Sequence, residues 1–235
     1  MTNSPSQEQI SQMFNEISPV YDLNNRILSM GIDRRWRKAL EKHLPKGQGL
    51  DLLDLATGTC DQLLSLMKTQ KFKTALGIDP AAKMLKVGQQ KVNRMPFASR
   101  VILEKASALE IPAEDDSFSC ITISFGIRNV GDYPKCLKEM HRVLAPKGKV
   151  LILEFSLPDN KLIRSAHLFY LRHFIPFIGG LFSGKKQAYR YLNKTIESFP
   201  CGEAFCLEMQ KAGFTNVAAH PLTFGVATLY AGEKS

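Results

Sequence analysis

The chain has no long apolar run, no closely paired cysteines and no glycine-rich phosphate loop. Its longest unbroken apolar stretch, Phe174–Phe182, is far shorter than the roughly 20 residues that a membrane-spanning helix needs. Residues 1–12 carry neither a basic leader nor an apolar segment, so we expect no secretion signal there. The five cysteines form no C-x-x-C pair and have no histidine at zinc spacing. We therefore expect reduced thiols, a cytoplasmic location and no metal site.

Positive charge is the main compositional bias. Lysine and arginine outnumber aspartate and glutamate by 31 to 22, which gives a formal net charge of +9. A net positive charge of this size is compatible with binding to nucleic acid, with binding to an anionic membrane surface, or with no charged partner at all. The chain has no zinc finger and no basic–aromatic sheet motif, so nucleic acid is the weakest of these explanations and we expect none to bind.

Strand and helix patterns alternate after residue 48. Apolar runs predict strands at 50–56, 73–78, 100–104, 118–125 and 148–155. Periodic segments predict helices at 61–70, 80–94 and 133–145, and a further helix near 202–212. Two extended runs, 215–221 and 223–231, suit an antiparallel edge. Because 44% apolar residues can fill one core, the pattern predicts a single α/β domain over residues 1–235 with a doubly wound, mostly parallel sheet.

Two segments outside this sheet are predicted to be helical. Residues 1–46 would cover the carboxyl ends of the strands, where ligands bind in such sheets. Residues 158–200 mix aromatic with basic side chains and would form a lid with hinges at Gly179, Gly180 and Gly184. An amphipathic lid can cover an active site, touch a membrane interface, or do both.

The most informative positions are residues 52–61, where a buried strand runs into a turn of small residues around Gly58. Asp79 ends the next apolar run about 20 residues later, where a carboxylate can accept both ribose hydroxyls of an adenosine. Capping of the helix that Pro80 opens is the alternative role for Asp79. The turn lacks the spacing G-x-G-x-x-G, so no pyrophosphate site is expected. The pattern favours S-adenosylmethionine over NAD.

Two longer motifs extend the comparison over nearly the whole chain. The first motif combines Tyr-Asp-Leu-Asn-Asn-Arg at 21–26 with Gly-Ile-Asp-Arg-Arg-Trp-Arg at 31–37. The second, Phe-Gly-Ile-Arg-Asn-Val at 125–130, follows a predicted strand. Shorter matches lie at 13–14, 154–156, 191–192, 199–200 and 222–225. With these motifs the chain resembles the ubiquinone/menaquinone biosynthesis C-methyltransferases. The resemblance implies a Rossmann-like, seven-stranded class I methyltransferase fold.

The resemblance also implies the cofactor contacts. They are the turn with Gly58 and Thr59, Asp79, Ser107 with Ala108 after the third strand, and Ser124 on the fourth. Two positions depart from the family. Cys60 stands where the turn usually ends in glycine, and Ser107 stands where relatives have aspartate or asparagine. Since the Ser107 hydroxyl is short, the adenine contact is expected through the Ala108 backbone or through water.

The implied reaction is C-methylation of a polyprenylated quinol by S-adenosylmethionine. Demethylmenaquinol is the first choice of acceptor and 2-methoxy-6-polyprenyl-1,4-benzoquinol is the alternative. The acceptor must be reduced, because a quinone ring is electron-poor. A free phenol has a pKa of about 10, so a base or a nearby cation should help to remove its proton. The greasy tail of such a substrate suggests peripheral contact with the inner face of the membrane.

Tyr21, Arg128 and Asn129 are the candidate catalytic residues. Arg128 is a fixed cation that could lower the pKa of the acceptor hydroxyl, and Asn129 could orient the same oxygen. Tyr21 could relay a proton or pack against the ring. The alternatives are a surface ion pair for Arg128 and helix packing for Tyr21. Asp22 is interpreted as a helix cap, and Glu154 as either a site acid or a buried partner of Arg128.

Two other functions stay open at this point. A methyltransferase for a sterol or a small phenol would share the cofactor residues, but has no need of the Arg128–Asn129 motif. A basic nucleic-acid-binding protein that retains an inactive methyltransferase fold would account for the charge. Uptake of S-adenosylmethionine separates both enzyme hypotheses from the last one.

Overall fold

The computed structural model describes residues 6–175 and 186–235. Its strands are β1 (Leu50–Leu55), β2 (Phe72–Ile78), β3 (Val101–Glu104), β4 (Phe118–Ser124), β5 (Leu144–Phe155), β6 (Thr215–Leu222) and β7 (Ala227–Glu233). They form one sheet in the order β3-β2-β1-β4-β5-β7-β6. β7 runs antiparallel to β5 and β6, and the other neighbours are parallel. The predicted seven-stranded, mostly parallel sheet with an antiparallel edge is confirmed.

Helices cover both faces of this sheet and its carboxyl-end edge. They are α1 (Gln7–Ile17), α2 (Tyr21–Leu28), α3 (Asp33–Ala39), α4 (Asp61–Met67), α5 (Ala82–Val92), α6 (Tyr133–Val143), α7 (Lys161–Phe169), α8 (Lys186–Ser198) and α9 (Glu203–Lys211). A π-helical turn, Tyr170–Phe174, continues α7. Within the described residues, no helix is both long and apolar enough to cross a membrane.

Alternate side chains of the central strands enter two separate cores. Leu52 of β1 and its neighbour Cys120 of β4 belong to a core that includes residues of α3 and α4. The next pair, Leu53 and Ile121, belongs to the opposite core with residues of α6 and α9. All four side chains are fully buried. Burial on both faces explains why these strands are nearly continuous apolar runs, and each buried leucine or isoleucine stabilises the fold by about 1.5–3 kcal/mol.

Two boundary errors of the sequence prediction reach four residues. One is the start of β7, predicted at 223 and found at Ala227, and the other lies between α6 and β5. The predicted helix 133–145 ends at Val143, and the strand begins at Leu144 rather than at 148. The β4–β5 register is irregular here, since Leu144 lies opposite Phe118 but Lys149 lies opposite Cys120. Pro146 falls within this irregular stretch, where its missing N–H is tolerated.

The amino-terminal helices cover the carboxyl ends of the strands. On α1, the Gln7 side chain donates to the Asn129 carbonyl (2.8 Å) and Asn15 accepts from the Lys83 amide (2.8 Å). On α3, the Trp36 indole donates to the Thr223 hydroxyl (2.8 Å). The cover is therefore bonded to both halves of the sheet.

The insertion after β5 is helical as predicted, with α7, its π-helical turn and α8 in the described part. Leu171, Ile175 and Ile196 form a small buried cluster between them, and the Asn193 side chain donates to the Leu171 carbonyl. The predicted hinges at Gly179, Gly180 and Gly184 lie outside the described residues.

Candidate active site

Three neighbouring spaces lie at the carboxyl ends of β1 and β4. The crevice, of about 420 Å³, lies between α1, the end of β2 and the loop after β3. The apolar cavity, of about 330 Å³, lies between the helical cover and the helices of the insertion. The polar cleft, of about 20 Å³, lies beneath them beside the turn after β1. Tyr21 lines all three spaces, so it stands where they meet.

Asp79 is fixed at the wall of the crevice by two backbone amides. Its Oδ2 accepts from the Gly58 amide (2.9 Å) and its Oδ1 from the Ala81 amide (2.8 Å). Burial raises the pKa of this carboxyl from 3.8 to about 6, and the two amides act in the opposite direction. The following helix has Ala81 as its N-cap and no side-chain cap, so Asp79 does not fill the capping role that was the alternative, and its carboxylate faces the crevice.

The turn after β1 depends on close packing around one cysteine. Cys60 has a left-handed backbone (φ 65°) and is fully buried. Its Sγ lies against Gly88 of α5, where an added Cβ would come within 2.4 Å of the sulfur. The left-handed backbone is the conformation that glycine adopts without cost. The absence of a side chain at Gly88 therefore makes room for a cysteine in the turn.

The predicted cofactor residues do not all lie in one space. Gly58, Asp79, Ser107, Ala108 and Ser124 line the crevice. The Ser107 hydroxyl accepts from the Leu109 amide (3.1 Å), and the Ser124 hydroxyl donates to Gln62 Oε1 (3.1 Å). Thr59 instead lines the polar cleft.

Thr59 and Asp22 form a hydrogen bond that was not predicted from the sequence. The Thr59 hydroxyl donates to Asp22 Oδ1 (2.6 Å), and Asp22 Oδ2 pairs with Lys91 Nζ of α5 (2.5 Å). Lys91 also contacts Asp61 Oδ1 (2.7 Å) at the start of α4. Asp22 was interpreted as a helix cap. In the structure its carboxylate instead links α2 to the turn after β1 through Thr59.

Arg128 and Glu154 form a buried ion pair. Arg128 lies in a 3₁₀ turn, Ile127–Asn129, directly after β4. Its Nη1 contacts Glu154 Oε1 (2.5 Å) and donates to the Phe125 carbonyl (2.8 Å). Burial raises the pKa of Glu154, and the Arg128 cation opposes that rise. Glu154 is fully buried, so the partner of Arg128 is not the surface carboxylate that was the alternative.

Arg128 and Asn129 also carry buried polar atoms that lack hydrogen-bond partners in the described chain. Both residues line the apolar cavity, and Asn129 lines the crevice as well. Among the described residues, Arg128 Nε and Asn129 Oδ1 are buried and have no hydrogen-bond partner. Leaving a buried polar group without a hydrogen-bond partner lowers the free energy of unfolding by about 1–3 kcal/mol. One donor and one acceptor are therefore available for a bound oxygen.

The apolar cavity contains residues that sequence reasoning missed. Trp36, Phe155 and Tyr191 form part of its walls, and His167 of α7 lies among them. His167 Nε2 is buried without a partner in the described chain, and burial lowers the pKa of its imidazole. The helical spacing of apolar residues in 158–200 predicts an inward face, but it does not identify which residues reach the cavity.

Comparisons with known proteins agree over the length of the chain. The sequence model of the ubiE/COQ5 methyltransferase family matches residues 1–234. The ubiquinone/menaquinone biosynthesis C-methyltransferase UbiE of Geotalea daltonii is 45% identical over 97% of this chain and 97% of its own length. The demethylmenaquinone methyltransferase of Thermus thermophilus is 43% identical over 94% of this chain and 100% of its own length.

Solved structures agree on the fold. A SAM-dependent methyltransferase from Thermotoga maritima has a TM-score of 0.63 and 20% identity, with 95% of this chain and 100% of that chain covered. The Haemonchus contortus phosphoethanolamine N-methyltransferase 2 in complex with S-adenosyl-L-methionine has a TM-score of 0.64 and 16% identity, with 85% of this chain and 52% of that chain covered.

Proposed function

The chain belongs to the ubiE/COQ5 methyltransferase family, and we propose that it transfers a methyl group from S-adenosylmethionine to a ring carbon of a polyprenylated quinol. The observation that carries the proposal is that a crevice with a buried carboxylate adjoins an apolar cavity, with Tyr21 and Asn129 lining both. Demethylmenaquinol is the preferred acceptor, and 2-methoxy-6-polyprenyl-1,4-benzoquinol is the alternative.

The residues of the crevice fit S-adenosylmethionine. Asp79 offers its carboxylate to the ribose hydroxyls, and Ala108 with Ser107 lies where the base would be held. An added Cβ on Gly58 would lie 3.2 Å from Met84 Cε and 4.0 Å from Asp79 Oδ2, so a side chain there would take up space in the crevice. When bound, the cofactor supplies a methyl group on a positively charged sulfur.

The apolar cavity supports the acceptor side of the reaction. Its mostly apolar walls exclude water from a hydrophobic ring and leave little to compete with polar contacts. Asn129 Oδ1 can accept a hydrogen bond from a quinol hydroxyl, and Arg128 Nε can donate a hydrogen bond to a quinol oxygen. Glu154 neutralises the Arg128 cation, so Arg128 acts mainly as a fixed donor. Tyr21 packs edge-on against Phe14, with ring centroids 6.1 Å apart, and helps to align the ring.

Methyl transfer to purified acceptors tests the proposal. The enzyme is given S-adenosylmethionine and either reduced demethylmenaquinol or the reduced benzoquinol, and the product mass is measured. We expect a product heavier by one methylene with the naphthoquinol. Transfer to the benzoquinol alone would favour the alternative acceptor, and transfer to neither would refute quinol methylation. Arg128→Gln should lower turnover while cofactor binding persists.

We also propose that the protein is cytoplasmic and touches the membrane surface at the mouth of the apolar cavity. Met30, Leu162, Phe169 and Phe224 are between 57% and 80% exposed. Met30 lines the cavity, and the other three are chain neighbours of the lining residues Ile163, Tyr170 and Thr223. Exposed arginines, Arg34 and Arg35, lie on the adjacent α3. Apolar side chains with basic neighbours suit an anionic lipid interface.

Co-sedimentation with anionic liposomes at low salt tests this contact. The double variant Phe169→Ser/Phe224→Ser should lose binding. Leu207→Ser is the matched control, because Leu207 is 49% exposed on α9 and is not a lining residue of the cavity. Absence of binding by the unmodified protein, or an equal loss in the control, would rule the contact out.

A further inference from the structure

The apolar cavity holds most of the buried polar atoms that lack a partner. Within the part of the chain that the structure describes, five buried side-chain nitrogen or oxygen atoms have no hydrogen-bond partner. Four of the five belong to residues that line this cavity, namely Arg37, Arg128, Asn129 and His167. Each such atom lowers the stability of the fold unless a ligand satisfies it. The set therefore indicates a bound molecule that has polar atoms at more than one point.

His167 is the member of this set that the proposed reaction does not use. Arg37 Nε lies 3.9 Å from the carboxylate of Asp33. Arg128 and Asn129 are assigned to one oxygen of the acceptor. His167 Nε2 is buried at the cavity wall, and it has neither a partner in the described chain nor a role so far.

The spacing of residues along α7 explains why His167 is directed inwards. Ile163, Ala166 and Tyr170 line the cavity together with His167. The four positions follow the i, i+3, i+4, i+7 spacing of a single helical face. Phe169, which lies outside this spacing, is exposed. Helix geometry therefore turns the imidazole towards the cavity.

His167 and Arg128 stand at different places on the cavity wall. The Arg128 cation acts on the nearby phenol of Tyr191, where it opposes the rise in pKa that burial causes. Burial alone lowers the pKa of His167, and no charged group of the described chain contributes. His167 therefore lies away from the ion pair of Arg128 and Glu154, and its imidazole is neutral at neutral pH.

A quinol matches this arrangement because it carries two oxygens on opposite sides of a rigid ring. With one oxygen at Arg128 and Asn129, the other is directed to a different part of the wall. Burying a hydroxyl without a partner is unfavourable, so the second oxygen needs a polar atom in these mostly apolar surroundings. A neutral imidazole nitrogen can accept a hydrogen bond from that hydroxyl or donate one to it, according to its tautomer.

We propose that His167 Nε2 binds the second oxygen of the quinol ring, a proposal that rests on the proposed function. The ring is then held at two ends, by the turn after β4 and by α7, and this fixes the edge that the ring presents to the methyl donor. An acceptor with a single oxygen loses the contact with α7. His167 therefore favours a ring with two oxygens over a simple phenol.

Binding of two ring compounds tests the proposal without any chemical step. The enzyme is saturated with S-adenosylhomocysteine, so that no methyl group can be transferred, and is titrated under anaerobic conditions. The ligands are 2-prenyl-1,4-naphthoquinol and 3-prenyl-1-naphthol, which keeps the hydroxyl beside the reacting carbon but lacks the second oxygen. We expect His167→Phe to raise the Kd of the quinol by about 5–10-fold, the effect of losing one neutral hydrogen bond. The Kd of the naphthol should not change.

His173→Phe is the matched control, because His173 lies in the same insertion but is exposed and does not line the cavity. It should leave both Kd values unchanged. His167→Gln, whose side-chain amide can still form a hydrogen bond, should keep part of the preference for the quinol. Equal weakening of both ligands by His167→Phe would show a packing role and overturn the proposal.

The unmodified protein supplies a test that does not depend on a folded variant. It should bind the quinol more tightly than the naphthol, and equal affinities would overturn the role of His167. If both compounds bind equally and the quinol is still methylated, the proposed function stands and only this role falls. If neither compound binds, the apolar cavity is not the acceptor site, and the proposed function fails together with this inference.

Discussion

At the scale of single residues, the turn after β1 shows how two positions compensate each other. Cys60 holds a left-handed backbone, and Gly88 of α5 leaves the space that its sulfur fills. The two residues are 28 positions apart in the chain, so sequence inspection detects the unusual cysteine but not the glycine that accommodates it.

Gly88→Ala should destabilise the protein through this contact. The added Cβ would come within 2.4 Å of the Cys60 sulfur, and such overpacking costs about 1–3 kcal/mol of unfolding free energy. In a Cys60→Gly background the same change should be nearly neutral, because the close backbone contacts that remain, Gly58 O at 3.3 Å and Thr59 C at 3.4 Å, offset the helix preference of alanine over glycine, up to about 1 kcal/mol. Urea unfolding of the four proteins in the cycle measures the coupling. Additive effects would contradict the packing explanation.

The buried Asp79 carboxyl predicts a pH dependence of cofactor binding. Burial raises its pKa to about 6, and only the ionised form accepts both ribose hydroxyls. The affinity for S-adenosylhomocysteine should therefore be highest above that pH and fall by up to about tenfold per pH unit below it. Asp79→Asn should bind weakly and lose most of this dependence. The residual slope in that variant reports Asp54, whose pKa burial also raises to about 6.

At the scale of elements, the helical cover is attached to the cofactor turn through charges. Asp22 of α2 accepts a hydrogen bond from Thr59 and forms an ion pair with Lys91. Lys91 forms a second ion pair with Asp61 of α4. These side chains are partly buried, so the network is stronger than isolated surface pairs, which contribute at most about 1 kcal/mol each. The contacts hold the first turn of α2, with Tyr21, against the cofactor turn.

Lys91→Met should loosen α2 without unfolding the sheet. We expect faster amide hydrogen exchange in residues 21–28 and a several-fold weaker affinity for S-adenosylhomocysteine. The exposed Lys86 on the same helix supplies the control, Lys86→Met, which should change neither. Unchanged exchange in α2 would show that packing, rather than charge, holds the cover.

The elements themselves were largely predictable from the chain, and their partners were not. Parallel strands that are buried on both faces have nearly continuous apolar sequences, which are easy to recognise. The bounds of β1 to β4 therefore agree with the predicted strands within two residues at either end. The start of β5 was missed, because its irregular pairing with β4 leaves no periodic signal. The pairing of Arg128 with Glu154 stayed one of two alternatives, and the bond from Thr59 to Asp22 was not expected. Such contacts join segments whose distance in space is set only by the fold.

At the scale of the whole molecule, the site depends on three separate parts of the chain. The cover contributes Tyr21 and Arg37, the sheet contributes Asp79 and Asn129, and the insertion contributes the far wall of the apolar cavity. Motifs in the sequence located the first two parts. The buried cation of Arg37 escaped notice because α3 carries three arginines and only the packed structure shows which one is buried.

Global stability should report cofactor binding because the ligand touches the cover and the sheet together. S-adenosylhomocysteine at 100 times its Kd should stabilise the fold by about 2.7 kcal/mol, which raises Tm by about 5–10 °C for a chain of this size. NAD at the same concentration should leave Tm unchanged, because the turn lacks a pyrophosphate site. A comparable shift with NAD would contradict the choice of cofactor.

The position of β7 between β5 and β6 has a consequence for biosynthesis. β5 gains its outer neighbour only from residues 227–233, which come after β6 in the chain. A nascent chain on the ribosome therefore carries β5 with an open hydrogen-bonding edge until that segment has emerged. Open strand edges attract other chains, so the interval before β7 inserts is when chaperones would have most to protect.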